Sequence, residues 1–157
     1  MHTSKKDLEN LMEEYGNMLF RLNMILLKNK QDAEDAVQET FFRYLKKKPC
    51  FHDNEHEKAW FLKVATNICR DMRRFQLRHP TCDIDDYKEY LGTEDQKDSL
   101  EELIELPVKY KIPIYFHYIE GYSVKDIAEF THCSESAVKK QLQRGREALK
   151  LKYEEMD

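Results

Sequence analysis

Two groups of basic side chains carry the clearest chemistry in this 157-residue chain. In residues 121–153, GYSVKDIAEFTHCSESAVKKQLQRGREALKLKY, winding the second half as a helix puts Val138, Leu142, Ala148 and Leu149 on one stripe. Ser136, Lys139, Lys140, Gln143, Arg144, Arg146 and Lys150 then leave it away from that stripe or beside it. Lysine and arginine neutralise phosphates, and glutamine or lysine can reach base edges. A second basic set, Lys63, Thr66, Asn67, Arg70, Arg73 and Arg74, recurs at steps of three and four, with Asp71 the single acid among them. Both sets are candidate nucleic-acid faces. The plain alternatives are a solvated charged face for the first and a helix C-terminus complemented by cations for the second.

A third group could in principle hold a metal. Cys50, His52, Asp53 and His56 crowd the segment PCFHDNEH. Their spacing fits no common structural zinc motif and no second ligand pair accompanies them, so neither a metal nor any other cofactor is expected. Phe51 in the same segment would instead be able to stack on an unpaired base.

The elements that must position these residues read as helices. Ser123 caps a short helix, with Asp126 three residues on, and Ile127, Ala128 and Phe130 give that helix an apolar side. Thr131, His132 and Cys133 form a turn, and Ser134 caps the longer helix that follows. Ala128 is small enough for two helices to cross closely. This is the pattern of a helix-turn-helix, whose second helix enters the DNA major groove.

Upstream, Leu8, Leu11, Met12, Tyr15, Met18, Leu19, Leu22, Ile25 and Leu26 predict an amphipathic helix over residues 4–28. A second helix over 31–47 has Ala33, Ala36, Val37, Thr40, Phe41, Tyr44 and Leu45 on its apolar side. Glu34, Asp35, Gln38 and Glu39 lie mostly on its other side near its N-terminal half, where complementing the helix dipole is the plain alternative, and Phe42 beside them suggests a docking surface. Pro49 stops that helix, and a loop over 48–57 follows. A third helix over 58–78 buries Trp60, Phe61, Val64, Ala65, Ile68, Met72 and Phe75 and turns its basic residues outward. Residues 81–99 carry Asp83, Asp85, Asp86, Glu89, Glu94, Asp95 and Asp98 against only Lys88 and Lys97, which reads as a flexible acidic linker. A helix over 99–120, interrupted or restarted near Pro107 and Pro113, then supplies Leu100, Leu103, Ile104, Leu106, Ile112, Ile114, Tyr115, Tyr118 and Ile119 as packing beneath the helix-turn-helix.

Composition agrees with this division. Four glycines and four prolines leave little turn material for an all-β fold, and 41% hydrophobic residues suffice for folded cores. The net charge of −4 is set by the linker, which leaves a basic-faced domain on either side. The expected class is all-α: a helical domain over 1–80, the linker over 81–99, and a helix-turn-helix domain over 100–157. MHTSKKDLEN has no apolar core for a signal peptide, and the apolar run over 18–27 is broken by Arg21 and Asn23. The four cysteines show no CxxC pair. A cytoplasmic protein with reduced thiols and no direct membrane insertion is expected.

At this point the residues match a known family. DAEDAVQETFFRYL (32–45) resembles the region 2 signature of the extracytoplasmic-function sigma factors, and AWFLKVATNICRDMRR (59–74) resembles their helix that engages the −10 element. LPVKYKIPIYFHYIEGYSVKDIAEF and SAVKKQLQRGREALK resemble their region 4, so the likeness covers nearly the whole chain. The resemblance implies a subunit of bacterial RNA polymerase, not an enzyme in itself. It implies that Asp35, Gln38, Glu39 and Phe42 dock the clamp helices of the β′ subunit, and that the β flap is a further contact. It implies that Phe51, His52 and Asn54 belong to a loop that captures a flipped −10 base, with Lys63, Asn67, Arg70 and Arg74 on the adjacent DNA. It implies that Ser134, Ser136, Lys139, Lys140, Gln143, Arg144 and Arg146 meet the −35 element. The linker would thread the polymerase channel used by RNA, and a separate anti-sigma factor would hold the protein in check. The turn departs from the family's apolar–glycine–apolar pattern, since His132 takes the glycine position. The rival readings are a helix-turn-helix regulator independent of polymerase and a metal-dependent enzyme or sensor built on the Cys50 group.

Overall fold

The computed structural model describes residues 7–76 and 102–156. The chain divides into two units, Met1–Gly92 and Thr93–Asp157, each with its own helical cluster. The expected linker at 81–99 lies outside the described residues, as does Pro80.

In the first unit, α1 (Leu8–Leu27), α2 (Lys30–Lys47) and α3 (Asn54–Gln76) pack on one another. Asp7 sets the start of α1: its Oδ1 accepts from the Asn10 N–H at 2.9 Å, so the helix begins at Leu8 rather than at residue 4. Lys28 ends α1 in the left-handed conformation, and Asn29 caps α2 by accepting from the Asp32 N–H at 2.9 Å. Two residues between helices leave room only for a tight reversal.

The core centres on Phe61, fully buried in α3. Its ring lies 4.9 Å from Tyr15 of α1 and 5.4 and 5.5 Å from Phe41 and Tyr44 of α2. A polar pin joins the same three helices: buried Asn23 donates to the Ala33 carbonyl and accepts from the Cys69 thiol, both at 3.1 Å. Leu62 and Cys69 join the buried stripe of α3, which α1 and α2 cover more widely than expected. Thr66, read as part of the basic face, is also buried and donates to the Leu62 carbonyl at 2.7 Å. Leu45 departs in the opposite direction and is exposed. Tyr44 takes the inward position at that turn, its ring against Trp60 and Phe61. The next residue lies roughly 100° further round the helix.

In the second unit, α4 (Val108–Ile114) starts at Pro107. Pro113 does not interrupt it. Proline has no N–H for the ladder and crowds the preceding turn, and beyond it the chain widens into a π-turn, Tyr115–Ile119. The Glu120 N–H there reaches back five residues to the Tyr115 carbonyl at 3.2 Å. Ordinary helical spacing would carry the buried track of Ile112, Tyr115 and Phe116 on to Ile119. The widening takes Tyr118 and Ile119 off it, and both are exposed rather than packed beneath the following helices.

Ser123 caps α5 (Val124–Thr131) by accepting from the Asp126 N–H at 3.1 Å. His132 follows with φ 57°, a left-handed residue that ends α5 and makes the turn. Thr131 belongs to the last turn of α5, where it is buried and donates to the Ile127 carbonyl at 2.7 Å. Ser134 caps α6 (Glu135–Met156), accepting from the Ala137 N–H at 3.0 Å. Val138 and Leu142 are buried as expected. Gly145, which the stripe of large apolar residues did not mark, is buried against α4. A Cβ there would lie 2.7 Å from Ile114 Cγ1.

Gly145→Ala is therefore expected to destabilise the chain despite alanine's better helix propensity. The propensity gain is about 1 kcal/mol, and overpacking a tight contact costs about 1–3 kcal/mol. Urea unfolding should give a lower midpoint for Gly145→Ala and a still lower one for Gly145→Val. A raised midpoint for the alanine variant would contradict the close approach of α4 and α6.

Candidate nucleic-acid interfaces

The outer face of α2 is the first surface left over by packing. Ala33, Ala36, Thr40 and Phe41 are buried, which turns Asp35, Gln38, Glu39 and Phe42 to the opposite side, all exposed. Phe42 is 57% exposed, a large aromatic surface beside two carboxylates, and exposed Leu45 continues it. The charges are engaged only lightly. Gln31 donates to Asp35 at 2.9 Å, and Arg43 pairs with Glu39 at 3.2 Å on the same helix. Exposed pairs of this kind contribute about 0.2–1 kcal/mol, so a partner can displace them at small cost.

The segment before α3 differs from the expected open loop. Phe51 is 6% exposed, its ring edge-on to Trp60 at 6.0 Å and to His56 at 5.4 Å. It is part of the core and is not presented to a base, which corrects its assignment to base capture. Asp53 caps α3 by accepting from the His56 N–H at 2.8 Å, so the helix begins four residues earlier than expected, with Asn54 as its first residue. His52 stacks on His56 at 5.0 Å and gives its backbone N–H to His56 Nδ1 at 3.1 Å. His52 and Asn54 remain exposed. Asp53 and His56 are thus used in fixing the turn, and no three His, Cys, Asp or Glu residues converge as a metal site among the described residues.

Glu57 is the residue here that sequence reading missed. It is buried, and Tyr15 donates to its Oε1 at 2.7 Å, tying the first turn of α3 to α1. In sequence it looked like one more acid at the end of a polar loop. The available signal was Tyr15, a hydroxyl on an otherwise apolar stripe. Burial, then the hydrogen bond to Glu57 and the negative charges of Glu57 and Glu14, push the Tyr15 phenol above its ordinary range.

Along α3, Lys63, Asn67, Arg70 and Arg74 follow steps of four, three and four on the side opposite Phe61, Ala65 and Ile68. The first three are half-buried and Arg74 is exposed. On α6, Ser136, Lys139, Lys140, Gln143, Arg144 and Arg146 are exposed together, with Ser134 exposed at the cap. Gln143 donates to Glu147 at 3.3 Å, an acid on this face that the basic pattern had hidden. Arg146 donates to the Tyr118 hydroxyl at 3.0 Å. The Arg144 guanidinium, with Lys109 beside it, lowers the pKa of the Tyr110 phenol.

Residues 11–79 match the family model described as sigma-70 region 2, and residues 99–149 the model described as sigma-70 region 4. RNA polymerase sigma factor SigV of Bacillus subtilis is 30% identical over 99% of this chain and 96% of its own length. The chain belongs to the extracytoplasmic-function sigma factors of the sigma-70 family. ECF RNA polymerase sigma factor SigW of the same organism is 29% identical, over 90% of this chain and 86% of its own length. Two solved structures share the fold. CnrH, in complex with the cytosolic domain of CnrY, gives a TM-score of 0.68 at 20% identity, covering 96% of this chain and 89% of that one. The sigma factor RpoE of Bartonella quintana, in complex with the anti-sigma factor NepR, gives 0.70 at 22%, covering 92% and 95%. The protein is a sigma factor, directing transcription initiation rather than catalysing a reaction itself. Among the described residues of this sigma factor, no helix is long and apolar enough to cross a membrane.

The burial of Tyr15, together with its bond to Glu57, makes the stability of the sigma factor sensitive to alkali. A phenol whose pKa is raised on folding contributes stability that is full below its unfolded value, 10.0, and is lost as pH rises above it. The buried Cys69 thiol, also raised, acts in the same direction from 9.0 upward. Chemical denaturation of Tyr15→Phe should show a loss of about 1–3 kcal/mol at neutral pH, where Glu57 loses its donor, and a shallower decline above pH 10. An unchanged alkaline slope would remove Tyr15 from this role.

Proposed function

We propose that this sigma factor docks on core RNA polymerase through the outer face of α2, with Asp35, Gln38, Glu39 and Phe42 against the clamp helices of the β′ subunit, and with the β flap as a further contact. Residues 1–80 form the polymerase and −10 domain, 81–99 the acidic connection, and 100–157 the −35 domain. Lys63, Asn67, Arg70 and Arg74 hold the −10 DNA, with exposed His52 and Asn54 beside the flipped base. Lys139, Lys140 and Gln143 read the −35 element, while Ser134, Ser136, Arg144 and Arg146 meet the backbone around it. The observation that carries this reading is the exposed Phe42 beside two lightly held carboxylates, in a chain that matches both promoter-binding regions in order. The mechanism uses binding energy to offset unpairing of the strand. The genes served are those of a stress or envelope response, in a cytoplasmic setting. A separate anti-sigma factor holds the protein by covering the α2 face, the C-terminal unit, or both.

The test is transcription in vitro with core polymerase on genomic promoter fragments, which should become initiated only when this protein is added. Asp35→Lys with Glu39→Lys is expected to abolish core binding while leaving helical content intact. Unchanged affinity for core would sink the docking assignment.

Reading of the −35 element separates by residue. Gln143→Ala and Lys140→Ala should alter preference at individual bases by about 1–3 kcal/mol, whereas Arg144→Ala should weaken all sequences evenly. If every −35 variant keeps its rank order on both alanine substitutions, Gln143 and Lys140 are not the readers.

A further inference from the structure

Gly145 brings α6 against α4, and the two residues that flank it are Arg144 and Arg146. Arg146 donates to the hydroxyl of a tyrosine from the preceding chain, Tyr118, at 3.0 Å. Tyr118 stands where it does because of the π-turn. The widened spacing takes it off the buried track of Tyr115 and Phe116 and leaves it 55% exposed beside α6.

We propose that Tyr118 is a positioning residue for Arg146, holding its guanidinium ready for a DNA phosphate beside the −35 element. The proposal rests on the reading of α6 as the DNA-facing helix. The geometry carries it in three steps. The bond at 3.0 Å uses Nη1 alone, and a guanidinium has five N–H donors in a fixed fork, so donors remain for a phosphate. The partner is a neutral hydroxyl, which orients the side chain without cancelling its charge. Arg43, on the polymerase-facing helix, shows the contrast: its partner is the Glu39 carboxylate at 3.2 Å, which does cancel it. Finally, the anchor is short and stiff. The Tyr118 ring has two side-chain torsions and grows from a turn closed by the Glu120 and Tyr122 N–H groups. An arginine held in this way loses less rotamer freedom when it meets the phosphate.

The experiment is a double-mutant cycle on promoter binding by the full-length protein preassembled with core polymerase, measured across a salt series. Arg146→Ala should weaken binding and reduce the log–log salt slope by about 0.9, the signature of one phosphate contact. Tyr118→Phe, which keeps the ring and removes only the hydroxyl, should weaken binding about 2- to 10-fold, without changing the rank order of −35 sequences. The double variant should be no weaker than Arg146→Ala alone. Tyr118→Phe should leave the thermal unfolding midpoint unchanged, because its ring is exposed. Wild-type affinity for Tyr118→Phe, or losses that add in the double variant, would overturn the positioning role while leaving Arg146 as a phosphate contact. An unchanged slope and affinity for Arg146→Ala would instead overturn the DNA-facing reading at that position, and the proposal with it.

Discussion

The inward commitment of Phe61 settles what the first unit can show to a partner. All three helices close on this ring, with Tyr15, Phe41 and Tyr44 around it. A helix has one face to give to such a centre, and its opposite face follows by geometry. With Phe41 inward on α2, the acids Asp35 and Glu39 and the ring of Phe42 must point out. With Phe61 and Ala65 inward on α3, Lys63, Asn67, Arg70 and Arg74 must point out. Two surfaces of opposite charge thus result from one packing decision. No covalent chemistry is required of either.

The second unit solves a different problem. α6 must lie close to the chain that precedes it while keeping a long row of basic side chains free. A glycine at the closest point lets the backbone approach, and large residues at Val138 and Leu142 fill the space further along. The turn before α6 uses His132 in a left-handed conformation, which a non-glycine residue adopts at some cost. That cost is offset locally: the His132 N–H and the Cys133 N–H both reach the Ala128 carbonyl, closing the end of α5.

Much of this was legible in the residues. Ser123 and Ser134 announced the ends of the two helices by their own side-chain chemistry, and Phe42 announced an exposed ring by its position among acids. The failures have specific physical causes. Phe51 reads as free because it sits in a polar segment, yet the core of a small domain recruits a nearby aromatic that reaches it. Asn54 reads as loop because the capping role of Asp53 is visible only once the His56 N–H is seen to need an acceptor. A period of 3.6 assigns Tyr118 and Ile119 to the interior, and the π-turn breaks that period without leaving a mark in the sequence other than Pro113. Glu57 and Gly145 escape a hydropathy pattern because it ranks acids as surface and glycines as neutral. One of them is a hydrogen-bond acceptor inside the core, and the other is a space for a neighbouring helix.

Asn23 has a consequence for how uniquely the first unit is defined. The end of α1 is buried almost continuously, through Leu22, Met24, Ile25, Leu26 and Leu27. Such a run is nearly degenerate: moved along its neighbours by one turn, it would still place hydrocarbon against hydrocarbon. The amide breaks that degeneracy. A shifted α1 would strand the buried side-chain amide of Asn23 away from both its partners and water, at about 1–3 kcal/mol for each group left unmatched. The helix with the least informative surface therefore carries its own alignment mark, and the placement of every outward side chain on α2 and α3 is inherited from it.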